Sequence, residues 1–337
     1  MPRKTSPKLS EALEQYMKIR ATHVAPSTLA NDQSVLRKFV REVGDPAVHL
    51  LEPAVVEAWF AEVAVWQQPS SFNKIRTRVN NFTAFCTRRG WLTSDPMGEV
   101  RPRKVVKRER LHLSTQEMQD LIEKTDNPRD RGMLALACNT GLRSSDITAL
   151  TIGNVDLDQG LLSVSVQKTG EFDRLPITSD LDTELRRWLG WYAERMAWIG
   201  EKLEPDYLLF PAMGHRNVRR NGKVQWWGDP QPFQKLTHPA QVVQRALQRI
   251  DVYSTAHEGF HTLRRSLGTA FFKHAADRGH DSALRLTAAM LGHKNTATTE
   301  IYLSLSHDRV QRDELLKGKS LFATEPKDNV IPLRRLK

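Results

Sequence analysis

The sequence predicts a mainly α protein with one small antiparallel sheet, an α+β fold in which a small helical domain precedes a larger one. Three observations lead there. Apolar residues recur at three- and four-residue steps through most of the 337 positions. The one clear alternation of apolar and polar residues, LLSVSVQKTGEFDRLPIT, is confined to residues 161–178. Around Ser94 all periodicity stops for a run, SDPMGEVRPRKVVKRER, that holds two prolines and many basic residues. The boundaries that follow are a helical domain over 1–92, a basic linker over 93–110, a larger domain over 111–313 and a tail over 314–337.

Each element has a local reason. Residues from about Leu9 to Trp91 read as helices. In STLANDQSVLRKFVREVG, Ser27 is the expected N-cap, Leu36, Phe39, Val40 and Val43 form the apolar stripe, and Gly44 is the stop. PSSFNKIRTRVNNFTAFCTRRG is expected to start at Ser70 or Ser71 and to end at Gly90, with Phe72, Ile75, Val79, Phe82 and Phe85 on one face. Lys74 and Arg78 lie four apart, away from that stripe, on a face that is either simply solvated or in contact with phosphates. The linker carries Arg101, Arg103 and Lys104, which suit a DNA backbone.

The larger domain opens on a capping box, Ser114 with Glu117. NPRDRGMLALACNTG places Pro128 in a first helical turn and Gly141 at a stop. SSDITALT is a short helix. The alternating stretch reads as two strands joined near Lys168 to Glu171. Helix returns from Ser179 through LDTELRRWLGWYAERMAWI. MGHRNVRRNGKVQWWGDPQPF reads as a long irregular surface loop with hairpin character, and EPKDNVIPLRRLK as a loose tail.

Composition narrows the function. Apolar content of 39% and charged content of 26% describe a folded protein rather than a disordered one. The formal net charge of +11 is spread along the chain. Such a charge suits a polyanion, although solubility alone accounts for it as well. The two cysteines, Cys86 and Cys138, sit in apolar helical patterns, with neither metal spacing nor a disulfide framework, so a reduced compartment is expected. MPRKTSPKLSEALEQYM lacks the apolar run of a signal peptide, and no apolar run approaches the ~20 residues of a membrane span. A cytoplasmic protein is expected.

Four places in the second half suit one chemistry. NTGLRSSD puts Arg143 between a glycine turn and a helix start, with Asp146 one turn on. QKTGE puts Lys168 at a hairpin tip. HTLRR puts His261 and Arg264 three apart on one helix face. LGHKNTATTEIY supplies His293 and, nine residues later, Tyr302. Each alone has an ordinary explanation in surface charge or packing. Together they hold what phosphoryl transfer through a protein nucleophile needs. Two guanidiniums can clamp the non-bridging oxygens. Histidines can donate to those oxygens or move protons, and a lysine can protonate a leaving oxygen. A tyrosine oxygen can attack phosphorus and hold it covalently. No carboxylate cluster is required, because no metal has to be held.

In this order and local context, TGLRSSDITAL, the QKTG hairpin, LFP at Leu209 to Pro211, HTLRRSLGT and LGHKNTATTEIY resemble the tyrosine recombinase (phage integrase) family. The resemblance covers a catalytic domain from about Arg110 to Asp313. The helices from about Pro7 to Trp91 resemble the family's core-type DNA-binding domain more loosely. It implies that Tyr302 attacks the scissile phosphate to give a 3′-phosphotyrosyl link and a free 5′-hydroxyl. Arg143 and Arg264 bind that phosphate with help from His261 and His293, Lys168 is the general acid, and Asp146 supports the first arginine. It implies duplex DNA sites as partner, a synaptic homotetramer, in some members a directionality factor, and neither metal nor other cofactor. DRVQRDELLKGKSLF would dock on a neighbouring subunit or pack on its own domain. Tyr16, Tyr192, Tyr207 and Tyr253 lack the flanking His and Arg motifs.

Only about seven residues precede the first helix, so a compact two-domain integrase of a phage or mobile element is expected. The alternatives are an Xer-type chromosome dimer resolvase, a type IB topoisomerase, and a DNA-binding regulator that has lost catalysis. Joining of two different sites separates a recombinase from a topoisomerase. The regulator would lack some catalytic residues.

Overall fold

The computed structural model describes residues 6–106, 110–166, 170–214, 218–220, 223–225, 228–253, 258–279 and 282–292, with positions 296 and 299. The chain forms two compact units, Met1–Arg108 and Glu109–Lys337. Among the described residues, no helix is long and apolar enough to cross a membrane.

The first unit holds α1 (Leu9–Arg20), α2 (Pro26–Glu42), α3 (Pro53–Trp66) and α4 (Pro69–Arg88). α2, α3 and α4 each begin with proline, whose missing N–H costs nothing in a first turn. The expected starts at Ser27 and at Ser70 or Ser71 are therefore corrected to Pro26 and Pro69, with Ala25 and Gln68 as N-cap residues that make no side-chain cap bond. The core is aromatic. Phe39, Trp59, Phe60 and Phe72 meet edge to face in sequence, with centroids 4.9–5.4 Å apart. Asp32, 4% exposed, takes Arg20 Nε at 3.0 Å and Arg78 Nε at 2.9 Å, tying α1, α2 and α4 together. Met97 and Val100 are buried in the same core. Arg103 donates to the carbonyls of Ala64 at 2.9 Å and Gln67 at 3.0 Å, closing the C-terminal end of α3.

The second unit opens with α5 (Thr115–Glu123), started by the Ser114–Glu117 capping box, and α6 (Pro128–Thr140), stopped by Gly141. The short α7 (Ser144–Ile147) leads into a three-stranded antiparallel sheet, β1 (Val155–Asp156), β2 (Leu161–Ser165) and β3 (Phe172–Pro176), in the order β1-β2-β3. The expected two strands are present, and a two-residue third strand joins them. α8 (Ser179–Trp198) follows, and its Trp188 donates Nε1 to the Leu209 carbonyl at 2.8 Å. The stretch expected to be an irregular loop contains β4 (Pro211–Met213), β5 (Val218–Arg220), β6 (Lys223–Gln225) and β7 (Pro230–Lys235). β4 pairs antiparallel with β7 and β5 with β6. α9 (Ala240–Arg249), α10 (Phe260–Asp277) and α11 (Ala283–Met290) complete the described elements. The architecture is the expected mainly α fold, with three small antiparallel sheets among the described residues where one was expected.

Candidate active site

Three helix ends collect the site. α6 ends at Gly141, which takes the left-handed conformation with φ 63°. Two residues later Arg143 is the N-cap residue of α7, half-buried. Among the described residues, nothing hydrogen-bonds or ion-pairs with its guanidinium. Asp146 is 2% exposed. Its main-chain N–H donates to the Arg143 carbonyl at 2.9 Å, and Ser145 Oγ donates to its Oδ1 at 3.5 Å.

α10 supplies the next pair. His261 stands exposed on its first turn, and Arg264 is buried at 3% exposure. The Arg264 guanidinium donates through Nη1 to the Gly141 carbonyl and through Nη2 to the Leu291 carbonyl. Gly141 and Leu291 are the C-cap residues of α6 and α11. Carbonyls at helix C-terminal ends lack intrahelical partners, and a cation suits the negative end of the dipole. These bonds account for a buried charge. They also bring the segment leading to Arg143 and the segment leading to residue 293 onto one helix. Leu291 presses against α10 at Gly268, where an added Cβ would lie 3.0 Å from Leu291 Cδ1.

Beside these residues runs a groove of about 920 Å³. Its walls are Thr237, His238 and Gln241 at the start of α9, Gly259 and His261 at the start of α10, and Ser144 and Arg110. Glu258, Thr262 and Arg265 also line it. Glu258 and Arg265, both about 6% exposed, pair at 3.3 Å, and the Thr262 hydroxyl donates to the same carboxylate. The pairing offsets the carboxylate charge, which leaves the Arg110 guanidinium and the N-termini of α9 and α10 to set the sign of the groove. Such an environment favours an anion. The His261 imidazole is held below its ordinary value of 6.5, first by desolvation and then by the positive field of Arg264, Arg143, Arg265 and Arg110. Both effects favour the neutral ring, which can donate from one ring nitrogen and accept at the other.

Of the expected catalytic residues, Arg143, His261 and Arg264 come together, with Asp146, expected as support for Arg143, one turn on. Lys168, His293 and Tyr302 lie outside the described residues, as do residues 301–337 with the docking segment and tail. Tyr16 and Tyr192 are buried in the two cores, where desolvation pushes both hydroxyls up. Neither position suits an attacking oxygen. Among the residues expected to touch DNA, Lys74 and Lys104 are exposed, and Arg101 is exposed with Glu99 at 3.9 Å. Arg78 and Arg103 are instead engaged inside the first unit, with Asp32 and with the α3 carbonyls. Sequence reasoning passed over Arg110 and the 237–241 wall. Arg110 was one more cation in a basic run, and residues 237–241 carry no motif.

Comparisons with known proteins bear on the family and the fold. Residues 112–309 match the phage integrase family. The tyrosine recombinase XerD of Ralstonia nicotianae is 28% identical, over 72% of this chain and 71% of its own length. XerC of Lactobacillus delbrueckii subsp. bulgaricus is 26% identical, over 88% of this chain and 94% of its own. Among solved structures, a lambda integrase dimer bound to a COC′ core site superposes with a TM-score of 0.65 at 18% identity. That match covers 96% of this chain and 81% of the other. The Tn1549 transposon integrase in complex with circular intermediate DNA gives 0.63 at 12% identity, over 92% and 99%. At such identities the structural likeness speaks for the fold. The family match spans more than half of the chain and takes in every motif from Arg143 to Tyr302: the chain belongs to the phage integrase family.

Proposed function

We propose that this protein is a site-specific DNA recombinase that integrates or excises a phage or other mobile element through a 3′-phosphotyrosyl intermediate. The observation that carries the reading is the Arg264 brace. One buried guanidinium joins the segments bearing two other motifs, beside a groove lined by Arg110 and His261. In the proposed reaction the Tyr302 hydroxyl passes its proton to the free ring nitrogen of a neutral histidine, its oxygen forms a bond to the scissile phosphorus, and the bond to the 5′-oxygen breaks. Lys168 gives that oxygen its proton. Arg143 and Arg264 offset the charge growing on the non-bridging oxygens, with His261 and His293 donating to them. Ligation is the reverse attack by the 5′-hydroxyl of a partner strand. The covalent link keeps the energy of the phosphodiester, so no nucleotide is consumed. Duplex attachment sites, a synaptic homotetramer, a directionality factor and a cytoplasmic setting complete the proposal. Lys74, Arg101 and Lys104 are its backbone-contacting residues in the first unit.

A second reading has its own support. Relatives named as Xer recombinases match up to 94% of their own length, which favours a resolvase acting on paired chromosomal sites. A nicked suicide duplex carrying the candidate site tests the chemistry common to both. The wild-type chain should become covalently attached, and Tyr302→Phe should bind without attachment. An adduct that persists in Tyr302→Phe would overturn the nucleophile assignment. Plasmids bearing an attachment pair or a dif-like pair then separate the two roles.

A further inference from the structure

The chain enters the second unit along α10, and α10 side chains fasten it there. Arg265 Nη2 donates to the Leu111 carbonyl at 3.3 Å, and the Leu113 N–H donates to Ser266 Oγ at 2.9 Å. Thr269 Oγ1 and His112 Nδ1 lie 3.3 Å apart. Leu113 is buried, whereas Arg110, immediately before the fastened residues, is exposed and lines the groove with Ser144 and His261. Among the described residues, nothing hydrogen-bonds or ion-pairs with the Arg110 guanidinium. Arg78 and Arg103 are occupied by acceptors in their own unit, so basic character alone does not distinguish Arg110. Its distinction is an unpaired charge one residue before a stretch that α10 fastens, in a groove whose carboxylate, Glu258, is already paired with Arg265. The Arg110 charge also contributes to the field on His261.

We propose that Arg110 binds a backbone phosphate of duplex DNA, held at the His261 end of the groove by the fastening of residues 111–113 to α10. The proposal rests on the recombinase reading, since that reading supplies the DNA. The side chain must order itself to bind, but the residues directly after it are already in place, which lowers the cost.

The test is the salt dependence of binding to a 30-bp duplex of arbitrary sequence, followed by fluorescence anisotropy with the full chain. Each neutralised phosphate adds about 0.9 to the slope of log K against log [salt]. Arg110→Gln should therefore lower the slope by about 0.9, and Arg110→Lys should keep it, because the slope counts charge and not shape. Thermal melting should be unchanged for both variants. An Arg110→Gln slope equal to wild type overturns the proposal, as does an equal loss in Arg110→Lys. If the wild-type chain itself fails to bind duplex DNA, the recombinase reading fails instead.

Discussion

Gly141→Ala should cost the second unit more stability than backbone strain alone explains. Two costs add at this position. With φ at 63°, alanine must sit in the left-handed region, for about 1 kcal/mol. The new Cβ would also lie 3.2 Å from Leu291 Cδ2 and 3.3 Å from Leu267 Cδ2, so both side chains must give way. Overpacking of this kind costs about 1–3 kcal/mol. The sum is about 2–4 kcal/mol. Gly160→Ala is the control, because Gly160 has φ 64° and nothing within 4 Å of its added Cβ. It should lose only about 1 kcal/mol. Native-state hydrogen exchange of amides in α6 and α8 reads the loss for this unit separately. Covalent attachment to a suicide duplex should fall further than stability does, because Gly141 holds the Arg264 brace and leads into Arg143. If the two alanine variants agree within about 0.5 kcal/mol, Leu291 and Leu267 do not constrain the turn and the packing argument fails.

Two further outcomes follow from groups whose charged forms are disfavoured. His261 in the free protein should titrate below 6.5 by NMR, because desolvation and four arginines disfavour its cation. Between the folded value and 6.5 the unfolded chain binds the extra proton, so stability should decrease as pH falls through that window. His261→Gln should flatten that dependence, and a His261 titration at or above 6.5 would contradict the field described. Cys86 and Cys138 are both buried with thiols pushed up to about 12. At pH 8 the thiolate fraction is then about one in ten thousand, so iodoacetamide should modify neither in the native protein and both in urea. Native-state labelling of Cys138 would show that α6 opens far below the global unfolding limit.

Elements whose signals are local were legible from sequence. The Ser114–Glu117 box starts α5, Gly141 stops α6, and the alternation over residues 161–178 gives β2 and β3. α2 and α4 start one or two residues ahead of the serines that the sequence offers as caps. Here the fixed φ of Pro26 and Pro69 sets the first turn without a side-chain cap. β4 and β7 were missed because each pairs with a strand more than fifteen residues away, through a stretch with no alternation of its own. Arg78 and Arg103 show the same limit for charge. Spacing reveals that an arginine is off the apolar stripe, but not that Asp32, 46 residues earlier, or the carbonyls closing α3 receive it. Within the site, motif order was enough to nominate Arg143, His261 and Arg264. It gave no sign that Arg264 would spend donors on main-chain carbonyls.

That use of donors bears on how the site keeps its geometry. α10 presents different residues to different neighbours. His261 meets the groove. Arg264 reaches the ends of α6 and α11, and Gly268 receives Leu291. Arg265, Ser266 and Thr269 hold the incoming chain that carries Arg110. The motifs are spread over more than 150 positions of sequence, yet the described ones are referenced to this one helix. A change that rotates or shifts α10 would move His261, Arg110 and the support of Arg143 together. A phosphate held by several cations tolerates the loss of one contact better than a common displacement of all of them. Substitutions on the packed side of α10, at Ser266 or Gly268, should therefore lower covalent attachment in the suicide-duplex assay, although neither position lines the groove.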